Sequence, residues 1–217
     1  MPRPKDWKPL KDLKGEIRKM SKKLKHGIVS DELIALYKDR ETKRKECIRE
    51  CEKVLAKSPD NFVVLLYLGT LYYEEKKYIK AIRYLDRLVS LMPPFYLAWQ
   101  TKGMCELILG RMRAARFSFS RLMEFQPTEP FAYSCIALTY FLTGKKDAAV
   151  AFLDDILGTG LVTEPALMVR TRAMLEERRG LKDEAFIHYL ETFMLLKGND
   201  PGVGLKLREL SEKKEEE

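Results

Sequence analysis

Leu65-Leu66-Tyr67-Leu68-Gly69-Thr70-Leu71-Tyr72 is the stretch that decides the fold, because its landmarks return at a fixed interval. Leu65, Leu68, Gly69 and Tyr72 are followed by Ala81 and Leu85, and the segment closes at Pro93. Thirty-four residues later Trp99, Lys102, Gly103 and Glu106 take the same places, then Ala115, Phe119 and Pro127. Pro59 precedes Pro93 by the same step. Self-similarity at a period of a few tens of residues marks an array of supersecondary units, each burying its apolar face on its neighbour. Within a unit the apolar residues fall three and four apart, which is helical spacing. Glycine inside a helix costs about 1 kcal/mol relative to alanine. The recurrence of Gly69 and Gly103 therefore predicts a point where two helices approach too closely for a side chain, with Ala81 and Ala115 as matching small residues on the second helix.

These landmarks resemble the tetratricopeptide repeat (TPR), with W-x2-L-G-x2-Y on a first helix, A-x3-F on a second and a closing proline. The resemblance covers roughly residues 28–200 and is densest over 59–160. It implies an all-α, right-handed superhelical solenoid of helix hairpins. We divide the chain into a basic amphipathic N-terminal helix (1–27), a degenerate repeat (28–61) and four repeat units (62–95, 96–129, 130–163 and 166–199). A capping helix with an acidic tail (200–217) completes it. In the degenerate repeat Ala35 and Cys47 hold the small positions, while Asp31 and Lys38 stand where aromatic residues belong. The third copy keeps Tyr133, Ile136, Ala137, Tyr140, Gly144, Ala149 and Leu153 but ends on Gly158-Thr159-Gly160 instead of proline. The fourth, with Ala173, Gly180, Ala185 and Tyr189, arrives two residues late and carries Arg172 and Glu176 at usually apolar places. Asp200-Pro201 reads as a helix cap and first-turn proline, followed by Leu207 and Leu210 to cover the last repeat.

The net charge of +8 is concentrated at one end: residues 1–26 hold ten Lys or Arg against three acids, a balance of +7. Leu10, Leu13, Ile17, Met20 and Leu24 form an apolar stripe through these lysines. Three surfaces compete for it: the repeats or a second copy of the chain, an anionic membrane, and nucleic acid.

Catalytic and metal-binding patterns do not emerge. His26 and His188 are far apart in the chain, and neither has ligand-spaced carboxylates or cysteines. Gly202 and Gly204 lack the Gly-Lys-Ser/Thr ending of a phosphate loop. The sequence thus points to neither an enzyme nor a cofactor. No apolar run reaches the ~18 residues of a bilayer span, and four cysteines without a C-x2-C pair suit a reducing cytoplasm.

By resemblance, the concave surface lined by the first helices receives a peptide or helix from a protein partner. The matching positions are Leu66, Thr70 and Tyr73, then Gln100, Met104 and Leu107, then Ser134, Leu138 and Phe141. Charge enters only in the fourth unit, through Arg170 and Arg178. The expected function is a protein-interaction scaffold for an apolar or amphipathic segment. The alternatives are self-association through the N-terminal helix, and nucleic-acid or anionic-surface binding through that same helix.

Overall fold

In the computed structural model, residues 44–215 are described, so the basic N-terminal segment and the first half of the degenerate repeat lie outside the described residues. Ten helices follow among the described residues, with no strand. They are α1 (Arg44–Lys57), α2 (Phe62–Glu74), α3 (Tyr78–Leu91), α4 (Tyr96–Ile108), α5 (Met112–Phe125), α6 (Pro130–Leu142), α7 (Lys146–Gly158), α8 (Ala166–Glu177), α9 (Lys182–Leu195) and α10 (Pro201–Glu215). They fall into two compact units, α1–α4 and α5–α10.

In the first unit α2 packs on α1, α3 and α4. Asn61 starts α2 by accepting the amide of Val64 at 3.2 Å, satisfying one of the donors a helix start leaves open. Leu65, Leu68, Leu85 and Leu88 are fully buried between α2 and α3. A Cβ on Gly69 would stand 2.6 Å from Cδ2 and 2.7 Å from Cγ of Leu85. The close approach is thus against Leu85, one turn beyond the Ala81 expected from the sequence, although Ala81 is itself fully buried. Because the Leu85 side chain that must shift is fully buried, Gly69→Ala is expected to cost about 1–2 kcal/mol net, overpacking outweighing the gain in helix propensity. A midpoint of urea unfolding equal to or above that of the parent would show that Leu85 gives way.

In the second unit α6 packs on α5, α7 and α8, then α9 packs on α8 and α10 on α9. Gly144 and Gly180 turn their hairpins at φ of 82° and 83°, a backbone glycine adopts at no steric cost. The same turn in the first unit is made by Lys76 at φ 60°, where a side chain is strained. Asp200 caps α10 by accepting the amides of Gly202 and Val203 at 2.9 and 3.2 Å. On α10, Val203 and Leu210 are buried against Ala173, Ala185 and Tyr189, with Leu207 partly buried beside them.

The closing prolines have a partner that the pattern alone does not reveal. Nε1 of Trp99 donates to the carbonyl of Pro93 at 2.7 Å, and the hydroxyl of Tyr133 donates to that of Pro127 at 2.7 Å. The landmark aromatic therefore ties α4 and α6 each to the loop that enters it, which explains the six-residue spacing of proline and aromatic in those two units.

Candidate functional site

The surface expected to meet a ligand is the first-helix face, so the burial of its positions decides what can be touched. In the first unit Leu66, Thr70, Gln100 and Leu107 are buried, while Tyr73 and Met104 are half-buried. In the second Ser134 and Leu138 are buried, Phe141 and Arg170 half-buried, and Arg178 exposed. From Val63 to Tyr72 every residue of α2 is buried, and α6 is likewise buried from Pro130 to Thr139. Helices apolar and buried on all sides behave as core elements and not as the floor of an open trough.

What stays accessible is a small set of large side chains near the C-terminal ends of the first helices. Tyr73 packs at a tilt on Tyr78, ring centroids 5.8 Å apart. Phe141 carries the ammonium of Lys146 at 5.8 Å from its ring centroid. Thr70 spends its hydroxyl on the carbonyl of Leu66 at 2.9 Å. The buried Ser134 hydroxyl has no hydrogen-bond partner among the described residues. Arg170 is committed within the chain, its guanidinium 2.7 Å from the carboxylate of Asp200 that also caps α10. Arg178 is the more open of the two expected arginines.

A second constellation was not singled out from the sequence. Glu52, Asp86 and Asp154 occupy one register position on the second helices α1, α3 and α7, separated by 34 and 68 residues. Each faces a hydroxyl or a cation on the following first helix. The Tyr72 hydroxyl donates to Glu52 at 3.2 Å, Nζ of Lys102 lies 3.4 Å from Asp86, and Arg172 lies 2.7 Å from Asp154. Lys102 and Arg172 also pair one turn along their own helices with Glu106 (2.9 Å) and Glu176 (3.2 Å). In the second and fourth repeats a cation and a buried glutamate thus replace the Leu68–Tyr72 and Ile136–Tyr140 pairs of the first and third. Where Ser120 takes the acidic position, the guanidinium of Arg116 lies 5.0 Å from the Tyr140 ring centroid instead. Burial and the Glu52 carboxylate push the Tyr72 phenol well above its ordinary range, so it stays a donor at neutral pH.

Groups suited to covalent or metal chemistry are sparse. The four cysteines are buried and unbridged. Hydrogen bonding to Cys51, and secondarily to Tyr67, holds the Cys47 thiol down to about 7 against the raising effect of burial. Burial pushes the Cys105 thiol up to about 12. Among the described residues no group of three or more His, Cys, Asp or Glu is arranged to hold a metal ion. No helix among them is long and apolar enough to cross a membrane.

Known proteins place this geometry. No family model matches the chain. A TPR repeat-containing protein of Methanocaldococcus jannaschii is 30% identical over 70 residues, 32% of this chain and 21% of that protein. The solved structure of MamA superposes with a TM-score of 0.60 at 23% identity, covering 83% of this chain and 96% of that one. TTC0263, a thermophilic TPR protein of Thermus thermophilus, gives 0.59 at 17% identity, covering 83% and 95%. The chain has the tetratricopeptide-repeat fold. YrrB, described as a TPR protein with an unusual peptide-binding site, also matches, at a TM-score of 0.51 and 12% identity over 76% of this chain and 84% of its own. The TPR fold places the accessible side chains Tyr73, Met104 and Phe141 on first helices, and the acidic register position on second helices. The chain spans about a fifth of the length of the M. jannaschii relative.

Proposed function

We propose that this TPR chain is a protein-interaction scaffold that binds an apolar or amphipathic peptide segment on its first helices. The observation that carries this reading is the retention of accessible aromatic and thioether side chains on the first helices of each unit, Tyr73 and Met104 in the first and Phe141 in the second. Such side chains present a large apolar surface with a polar or polarisable edge, which is what peptide anchors dock against. A neighbour of the same fold described as peptide-binding supports it. Unbridged buried thiols support a reducing compartment, the cytoplasm.

Selection of peptides from a random display library on the full chain tests the reading. Ligands are expected to carry apolar residues at helical spacing. Tyr73→Glu, Met104→Glu and Phe141→Glu, made singly, should each weaken them by at least ~10-fold, because a carboxylate buried against an apolar ligand has no compensating partner. Far-UV circular dichroism should stay that of the parent. Binding that survives all three changes sinks this site. If removal of residues 1–26 then abolishes binding, and added salt weakens it steeply, the basic N-terminal segment and an anionic ligand become the better reading.

A further inference from the structure

We propose that the junction of α5 and α6 is an oxyanion site, in which Arg116, Ser120 and Tyr140 hold a phosphate group, as the free ion or as the monoester of a ligand. The case starts from a break in the repeat register. Where α1, α3 and α7 carry Glu52, Asp86 and Asp154, α5 carries the exposed Ser120. One turn earlier the exchange runs the other way. Ile48, Ile82 and Val150, all buried, hold that register position on the same three helices, and α5 puts Arg116 there. A cation has thus entered at the junction that lacks the acid.

The guanidinium of Arg116 lies 5.0 Å from the centroid of the Tyr140 ring, which meets the charge on one face. Its edge is unmet. Nη1 is buried without a hydrogen-bond partner, and no carboxylate pairs with Arg116 among the described residues. A buried charged donor without an acceptor carries its full desolvation cost, so the site favours an anion. Two hydroxyls share the place. Ser120 follows Arg116 by four residues and so lies on the same face of α5. Tyr140 follows Ser120 by 20 residues, the interval between Glu52 and Tyr72, whose carboxylate and hydroxyl lie 3.2 Å apart. As α1 packs on α2, so α5 packs on α6. A serine side chain is shorter than a glutamate, and the hydroxyls of Ser120 and Tyr140 make no hydrogen bond among the described residues. By this register three donors meet with no acceptor between them. A phosphate group offers three acceptor oxygens, and a guanidinium fork matches its geometry. The first-helix anchors Tyr73, Met104 and Phe141 take no part, so this site and the peptide site can fail separately.

Titration of the isotope-labelled full chain with sodium phosphate, from ~0.1 to ~50 mM at constant ionic strength, tests the site through the Nε–Hε resonance of Arg116, assigned by its loss in Arg116→Met. A saturable shift with a dissociation constant on the order of 1–10 mM is expected from one charge-assisted pair and two hydroxyl contacts. Tyr140→Phe keeps the ring beside the guanidinium but removes a donor, and should weaken phosphate at least ~5-fold. Ser120→Glu supplies the carboxylate from within the chain. It should abolish the phosphate shift and raise the melting midpoint by ~2–4 °C, whereas Ser120→Gln should not raise it. Glycerol phosphate titrated alongside separates the two sources: tighter binding than the free ion assigns a phosphorylated ligand, and weaker binding assigns the ion itself. An Arg116 resonance indifferent to both phosphates overturns the proposal. So does a response that survives both Tyr140→Phe and Ser120→Glu, which would mark general charge screening, or one that acetate reproduces at the same ionic strength.

Discussion

Glu106→Ala is expected to lower the stability of the full chain by about 3–5 kcal/mol, the cost of leaving a buried ammonium without its carboxylate. The Lys102 side chain is only 10% exposed and that of Glu106 only 5%, so water cannot replace what the substitution removes. Asp86 remains, but at 3.4 Å and on a more exposed side chain, where its compensation is weaker. Lys102→Met should cost a similar amount by stranding the carboxylate instead. The informative variant is the double one. Lys102→Leu with Glu106→Tyr copies into the second repeat the solution used in the first, where Leu68 is buried and the Tyr72 hydroxyl reaches Glu52. By register the new hydroxyl would face Asp86 as that of Tyr72 faces Glu52. Exchange of a buried ion pair for well-packed residues is often neutral or stabilising, so this variant is expected within about 1 kcal/mol of the parent or above it. Urea midpoints at unchanged slope measure all three. Single losses below about 1 kcal/mol would show that the pair is solvated and that burial does not set its cost.

Much of this architecture could be read before any coordinates, and the parts that could not share one physical cause. Period, apolar spacing, the hairpin glycines Gly144 and Gly180 and the Asp200 cap are local features. Each is written in residues a few positions apart and enforced by backbone sterics or helix-end hydrogen bonding. The acids at Glu52, Asp86 and Asp154 were missed because a carboxylate on a second helix reads as a solvated face. Their meaning appears only when the following first helix brings a donor to them. A search for charged residues recurring at the repeat period would have found them. The ligand face shows the converse. Leu66, Thr70, Gln100, Leu107, Ser134 and Leu138 have the register of groove residues, yet they are buried. Register assigns a face, and tertiary packing decides how much of that face is left open. Arg170 illustrates the same limit, since its pairing with Asp200 spans 30 residues.

In the fourth repeat Glu176→Ala is expected to cost about 3 kcal/mol, nearer the lower end of the range for a broken buried pair. The Glu176 side chain is 4% exposed, accepts from Nε of Arg172 at 3.2 Å and lies 2.6 Å from Nδ1 of His188. Removing it orphans donors on two helices, α8 and α9, which argues for a large loss. Two features soften it relative to Glu106→Ala. Arg172 is 26% exposed and keeps Asp154 at 2.7 Å, so its guanidinium retains both a counter-charge and access to water. The His188 side chain is 15% exposed, so water can reach the ring nitrogen that the substitution leaves unmet. Lys102 is less open, its side chain only 10% exposed. The ordering is therefore a sharper test than either magnitude: Glu106→Ala should destabilise more than Glu176→Ala under identical conditions. Glu176→Gln keeps an acceptor oxygen in place and should lose less than the alanine variant, because part of the cost lies in unmet hydrogen bonds. If Glu176→Ala proves the more damaging of the two alanine variants, the exposure of Arg172 and its contact with Asp154 do not compensate the lost carboxylate. The His188 contact would then be the dominant link between α8 and α9, and His188→Leu should reproduce most of the loss.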